Sequence, residues 1–285
     1  MAQPKVVVLT HLRQGLQPLS AVSRMIQTAW RPAGVDVVVH QGVRNAPTAD
    51  LAILHVDLTV TPPEYLELGA RYPRCLNLAV TDISKRRISR NLVTRDDPYD
   101  GPVMVKTDRN YGGRPERSLW LSEGGALRRA RHRVAELLPP SWSGRLRDGN
   151  YLVFDRKRAV PAWVWRTPSL VVERLLVERR GDRCRMYQWY FFGDADCVVP
   201  VDGTGRFVDF MRQETLDRQT PHREVPTSIR ERRRELGFDF GKLDYVVHEG
   251  EPALLDANRT PALDEPELGR TAMLAPGLWS FLKAL

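Results

Sequence analysis

Residues 242–263 read KLDYVVHEGEPALLDANRTPAL, two apolar runs on either side of Glu249-Gly250-Glu251. A glycine among polar residues, flanked by such runs, marks a hairpin, because glycine accepts the positive φ of a tight turn. Positions 244 and 256 are equidistant from Gly250, so a hairpin centred there sets Asp244 roughly opposite Asp256, with facing Cβ atoms about 5 Å apart. Asn258 shares the face of Asp256, since strand side chains alternate. Two carboxylates that close repel by about 1 kcal/mol in water and several times more near a protein surface. A raised pKa on one acid, a nearby cation such as Lys242, or a bound metal ion would relieve the repulsion. The all-oxygen set Asp244, Asp256 and Asn258 suits magnesium, which keeps several waters and takes its other ligands from nucleotide phosphates. The competing reading is a surface hairpin whose aspartates splay into solvent.

Further upstream, residues 103–113 read VMVKTDRNYGG. An apolar strand ends on Lys106 and meets a loop whose Gly112 and Gly113 let backbone amides approach phosphate oxygens closely. The pattern GxxxxGK[ST] is absent and no GxGxxG follows a strand, and YGG also serves as an ordinary hairpin turn. Between this loop and the acidic hairpin, LVVERLLVER (170–179) passes from apolar strand to charge. Such a strand-to-linker segment can offer backbone hydrogen bonds to an adenine walled by Leu175, with Glu173 and Glu178 in reach of the amino group or the ribose. Simple strand-edge polarity explains the same glutamates.

Outward from these stretches, 5–10 (KVVVLT), 35–39 (VDVVV) and 50–56 (DLAILHV) are apolar runs without alternation, with a helix expected over 19–30 and another over 63–71. Runs of that kind suit strands covered on both faces, so residues 1–94 read as a small parallel sheet with flanking helices. The turn-rich RDDPYDGP (95–102) marks a boundary. Beyond it the pattern predicts a basic helix near 124–138 whose Leu127, Ala130, Val134 and Leu137 form the buried face, then strands over 169–178 and 185–193. Ser228 and Glu231 fit a capping box opening a helix that stops at Gly237.

The chain has 285 residues, 42% of them hydrophobic, and a net charge of +8. Its apolar runs are too short to span a bilayer, and the start, MAQPKVVVLTHL, lacks a signal peptide's apolar stretch, so a cytoplasmic protein is expected. Cys75, Cys184 and Cys197 share no short paired spacing, which argues against a disulfide framework or zinc site. The arginine-rich charge is compatible with nucleic acid, an anionic substrate or a solvated basic surface.

The order of the pieces, DISKRRISRNLV (82–93), VMVK with its Gly-Gly loop, VVERLLVE, LGFDFGKLDYVV and LLDANRTP, resembles the ATP-grasp family. The resemblance covers nearly the whole chain, and the last forty residues are its most specific part. It implies an α/β and α+β protein: a Rossmann-like N-terminal domain (1–94), then an ATP-grasp fold of two α+β subdomains, a small one with an insert (95–172) and a C-terminal one (173–285), holding ATP between them. By position, Lys85 is similar to the lysine that reaches the nucleotide phosphates, Lys106 to the strand lysine on the α/β phosphates, and Gly112 and Gly113 to the flexible phosphate loop. Glu173 and Leu175 fall at the adenine linker, with Glu178 a candidate for the ribose. Asp244, Asp256 and Asn258 match the magnesium set, although the second acid is usually glutamate, and Asp82 stands two residues further from its lysine than in the pattern.

Members of this family typically make an acyl phosphate from a carboxylate and ATP, which an amine or similar nucleophile then attacks. An arginine can steady the carboxylate and the developing charge, and Arg259, then Arg183 and Arg185, are the candidates. The expected function is thus an ATP- and magnesium-dependent carboxylate ligase acting on small or peptide-like, anionic substrates. A small-molecule kinase on the same scaffold is the first alternative. A basic nucleic-acid-binding module, stacking bases on Trp163, Trp165, Trp189 and Tyr190, is the second and weaker one. His55 and Asp57, two apart at a strand end, would face one way and read as structural. A homodimer is the expected assembly.

Overall fold

The computed structural model describes residues 3–143, 146, 151–209, 217–218, 222, 224–263 and 269–283. Of the insert between Gly113 and Val171, residues 144, 145 and 147–150 lie outside the described residues.

The N-terminal apolar runs form a wholly parallel sheet. Its strands are β1 (Lys5–Thr10), β2 (Asp36–Gln41), β3 (Leu51–His55) and the short β4 (Cys75–Leu76), in the order β2-β1-β3-β4. Absence of alternation is explained by cover on both faces. Val6, Val8, Leu51 and Ile53 pack on one side with α1 (Ala21–Met25) and the π-helical turn Ile26–Trp30 that continues it. Val7, Leu9, Ala52 and Leu54 pack on the other against Tyr65 and Leu68 of α2 (Pro63–Gly69).

After α3 (Lys85–Ile88) the chain enters a three-stranded antiparallel sheet. It joins β5 (Val103–Thr107), β6 (Leu152–Phe154) and β7 (Leu170–Arg174) in the order β6-β5-β7, with Lys106 opposite Val171 and Met104 opposite Glu173. Val103, Val105, Leu170 and Val172 face a separate core completed by Val160 and by Val164 of α7 (Ala162–Trp165); Met104, Lys106 and Glu173 alternate to the opposite face. Between β5 and β6 lie α4 (Arg114–Glu123), α5 (Ala126–Leu137) and α6 (Pro140–Ser143). The helix expected from 124 therefore starts at Ala126 and follows an unanticipated one. Its apolar stripe is not buried: Leu127, Val134 and Leu137 are exposed, because α5 stands outside the four main cores.

A six-stranded sheet completes the fold: β8 (Glu178–Arg180), β9 (Arg183–Phe192), β10 (Ala195–Gly203), β11 (Asp217–Arg218), β12 (Phe240–His248) and β13 (Glu251–Asn258). It runs β11-β10-β9-β12-β13, with β8 also paired to β9. The continuous strand expected over 169–178 is broken instead, since β7 belongs to one sheet and β8 to the next, with Leu175–Val177 bridging them. On the back of this sheet Trp189, Phe191, Leu243 and Tyr245 cover Ile229 of α8 (Thr227–Leu236). That helix ends at Gly237 in the left-handed conformation as expected. Its N-cap is Pro226, so Ser228 sits inside the first turn and no side-chain cap forms.

The C-terminal α9 (Arg270–Leu274) and α10 (Leu278–Leu282) fold back between the large sheet and the N-terminal sheet with its α1. Gly277 permits this approach: a Cβ there would stand 1.7 Å from the Phe192 carbonyl oxygen. Trp30, 1% exposed, donates its indole N–H to the Ala275 carbonyl at 3.0 Å and lies edge-on to Phe192.

Candidate functional site

The β12–β13 hairpin forms the floor of a cavity of about 600 Å³. Its connection is the two-residue loop Glu249-Gly250, with φ of 51° and 88°, the signs a type I′ turn requires. Such a loop pairs His248 with Glu251 and Tyr245 with Leu254, and would pair Asp244 with Leu255. A β-bulge between Asp244 and Tyr245 shifts the register by one, and Asp244 comes to face Asp256. The bulge also turns Leu255 and Asp256 to the same side, so both line the cavity while Leu254 and Ala257 enter the core behind. Strict alternation from the turn would have buried Asp256.

Cross-strand pairing widens this floor. Lys242 stands opposite Asn258 on one side and Tyr190 on the other, and Asp244 opposite Asp256 and Gln188. The six residues line the cavity from three adjacent strands. Each acid has a lysine: Lys242 Nζ lies 2.8 Å from Asp244 Oδ2, and Lys85 donates to Asp256 Oδ1. Burial pushes the Asp244 pKa up, against the pull of Lys242. Burial works the same way on Asp256, but Lys85, Lys242 and Lys106 together outweigh it and hold that pKa below the ordinary value. Asp244 Oδ1 is buried with no hydrogen-bond partner among the described residues.

The opposite wall comes from the three-stranded sheet. Lys106 Nζ lies 2.6 Å from Glu173 Oε2, a diagonal contact across β5 and β7. Burial opposes the lysine's charge, and Glu173, Tyr151 and Asp256 more than offset it, so its pKa is raised. The loop after β5 places Tyr111, Gly112 and Gly113 consecutively in the left-handed region, with φ of 48°, 64° and 71°. Two of the three are glycines, as that conformation favours. Thr59 holds this loop closed: its hydroxyl accepts the Asn110 N–H at 3.0 Å, its own N–H donates to Glu116 Oε1 at 2.7 Å, and its carbonyl accepts from Arg259 at 3.0 Å.

Lys85, Lys106, Gly112, Leu175, Arg185, Asp244, Asp256 and Asn258 are thus gathered around one cavity. Gly113, Glu173, Glu178, Arg183 and Arg259 are not among its lining residues. Gly113 is the left-handed N-cap of α4, and Glu173 is turned to Lys106. Glu178 is spent on structure, accepting from Arg180, from Tyr187 and from the Val247 N–H. Arg183 pairs with Asp217 at 3.4 Å near solvent. Arg259 is 1% exposed and donates to Thr61 and Thr59; burial lowers its pKa to about 10 against Asp82, Asp57 and Glu116. Arg185 lines the cavity but is committed to Asp202 through two hydrogen bonds of 2.6 and 2.7 Å. His55 and Asp57 do not face one way, because β3 ends at His55: the imidazole is stacked against Phe240 in the core, and Asp57 lines the cavity. Gln188, Tyr190 and Tyr151 also line it without having been singled out as ligands; the register of β9 against β12 was the missing signal for the first two.

No family model and no curated protein matches the chain. Solved structures match it along almost their full length. The VanG D-Ala:D-Ser ligase from Enterococcus faecalis superposes with a TM-score of 0.56 at 11% identity, covering 100% of this chain and 99% of that one. An ATP-grasp ligase, PsnB, complexed with a minimal precursor, gives 0.55 at 13% identity over 99% of both chains. The D-cycloserine synthetase DcsG gives 0.51 at 15% identity, over 97% of this chain and 99% of that one. The chain has the ATP-grasp fold. Within this ATP-grasp architecture the cavity is walled by β5 and its loop on one side and by β9, β12 and β13 on the other, with Leu175–Val177 between the two sheets. The third side is formed by segments that follow β1 and β3 of the N-terminal sheet, through Gln17, Ser20 and Asp57.

Proposed function

We propose that the protein is an ATP- and magnesium-dependent ligase that activates a carboxylate as an acyl phosphate for attack by an amine or similar nucleophile. One observation carries the reading: Lys85, Lys106 and Lys242 converge with Asp244, Asp256 and Asn258 on a single cavity in an ATP-grasp fold. Eight lysine and arginine side chains line the cavity against the three acids Asp57, Asp244 and Asp256, an excess of positive charge suited to a polyphosphate. The structures of PsnB with magnesium and ADP bear on the same point for that protein.

The donor set fits magnesium. Asp244, Asp256 and Asn258 offer hard oxygen atoms only, and the unpartnered, buried Asp244 Oδ1 is a ligand position without a proton donor. The ion would supply neutralisation of the phosphate charge as the terminal phosphoryl group is transferred. Lys106 and Lys85 stabilise the nucleotide phosphates, the backbone of 109–112 covers them, and Leu175, Leu176 and Val177 wall the base. A substrate carboxylate oxygen bonds to the terminal phosphorus as the bond to ADP breaks. The nucleophile's nitrogen then bonds to the acyl carbon, phosphate leaves with the electron pair, and the nitrogen loses a proton. The substrates are small or peptide-like molecules. Among the described residues no helix is long and apolar enough to cross a membrane.

Calorimetric titration of ATP with and without magnesium, into wild type and Asp256→Ala, tests the reading. Magnesium-dependent binding lost in the variant is expected; absence of nucleotide binding to the folded wild type would refute it. With hydroxylamine present, hydroxamate formation accompanying ADP release marks ligase chemistry, whereas a stable phosphorylated hydroxyl product would assign a kinase instead.

A further inference from the structure

Three acids line the cavity: Asp57, Asp244 and Asp256. Two carry a lysine each, as described. Asp57 has no ion-pair partner among the described residues, although Lys85, Lys106, Lys242, Arg109, Arg114, Arg174, Arg185 and Arg218 line the same space. Among the described residues its only side-chain hydrogen bond is with Thr260, whose hydroxyl donates to Oδ1 at 2.8 Å; its backbone carbonyl accepts from Gln14 at 3.2 Å. A half-buried carboxylate with no ion-pair partner, in a chain of net charge +8, carries a desolvation cost that is only partly offset: burial raises its pKa, and the Thr260 hydroxyl and the Arg259 charge pull against that rise.

The position of Asp57 is informative as well. Thr260 lies between it and the magnesium set: the Thr260 N–H donates to Asn258 Oδ1 at 2.8 Å, and its hydroxyl stands 3.4 Å from the same oxygen. Asp57 is therefore about two hydrogen-bond lengths from Asn258 through Thr260. Gln17 and Ser20 line the same side.

We propose that Asp57 is the recognition residue for the amine substrate, which docks as an ammonium ion and passes one proton to the Asp57 carboxylate before its freed electron pair attacks the acyl carbon, making this protein a ligase for a primary amine of the amino-acid or peptide class. The proposal rests on the ligase reading for its functional meaning, but the ammonium site itself is testable without it. An ammonium group donates three hydrogen bonds, and Asp57 is the one acid lining the cavity that no lysine or arginine pairs among the described residues.

The test uses the full chain and saturation-transfer NMR with a panel of amino-acid amides and their N-acetylated counterparts, which keep the shape and lose the charge. Binding of one or more amides to wild type is expected, with none for the acetylated partners. Asp57→Asn keeps the size and the Thr260 hydrogen bond, and should weaken amide binding about tenfold to a hundredfold. Asp57→Glu should retain part of it. Equal binding by wild type and Asp57→Asn, equal binding of acetylated and free amides, or no amide bound by the folded wild type would overturn the proposal. ATP titration of the same samples separates the two readings: nucleotide binding without amide binding removes the ammonium site alone, and amide binding through Asp57 without nucleotide binding removes the ligase.

Discussion

His55 is the residue whose chemistry is most at odds with its surroundings. It is 2% exposed, neither ring nitrogen has a hydrogen-bond partner among the described residues, and burial lowers its pKa from 6.5 to about 4. A histidine whose folded pKa is depressed stays neutral while the unfolded chain takes up a proton. Its contribution to stability is complete above pH 6.5 and declines as pH falls toward 4, by about 1.4 kcal/mol for each unit. His55→Phe retains the stacking on Phe240 and cannot titrate. Denaturant unfolding at pH 7.5 and pH 4 should show the variant losing about 3 kcal/mol less than wild type between the two; identical losses would mean that the imidazole is protonated inside the fold. The sequence showed His55 and Asp57 as a pair at a strand end, and alternation suggested one shared direction. What it did not show was that the strand stops at His55, which frees Asp57 to face the cavity.

At the scale of elements, the hairpin and the loop after β5 repay closer comparison. Asp244 faces Asp256 as the symmetric reading about Gly250 required, yet the loop contains two residues and the bulge restores the register that the count assumed. Turn chemistry was readable from Glu249-Gly250; the bulge was not, because Leu254-Leu255 is equally apolar whichever way it points. The break at Leu175–Val177 escaped for a similar reason, since a buried strand and an apolar linker share a composition. For α4, Glu116 joins Leu119, which packs on the core of Val7, Leu9 and Tyr65, in linking the helix to the N-terminal sheet, and its removal has a definite expected outcome. Glu116→Ala leaves the buried Thr59 N–H without an acceptor, a cost of about 1–3 kcal/mol, and loosens the hold of α4 on the segment that also anchors Asn110. Amide hydrogen exchange should quicken at Thr59 and across 109–113, and ATP affinity should fall while magnesium dependence persists. Unchanged exchange at those positions would show that the loop is held by its own left-handed turn alone.

For the whole molecule, the decisive feature is that the first and last segments share one core. The Ala21 N–H donates to the Pro261 carbonyl at 2.8 Å and the Leu263 N–H to the Leu19 carbonyl at 2.9 Å. Trp30 lies in the same cluster as Phe192, Leu278 and Phe281. The parallel N-terminal sheet was readable from its unalternating strands, but this closure was not, because contacts across more than two hundred residues leave no local pattern. The core around Val103, Val105 and Val172 is separate, and the three-stranded sheet joins the rest through backbone hydrogen bonds, among them Lys85 N–H to the Asp108 carbonyl and Val93 N–H to the Val172 carbonyl. Trp30→Ala removes a fully buried indole and its hydrogen bond to Ala275, a loss of about 3–5 kcal/mol. For a chain of this size the melting temperature should fall on the order of 10 °C. The informative readout is cooperativity: residues of the N-terminal sheet and of β9, β10 and β12 should lose exchange protection together, in one transition, in wild type and variant alike. Separate melting of the N-terminal sheet would mean that the shared core is an interface between independently stable units, and the Asp57 side of the cavity would then be assembled only when they dock.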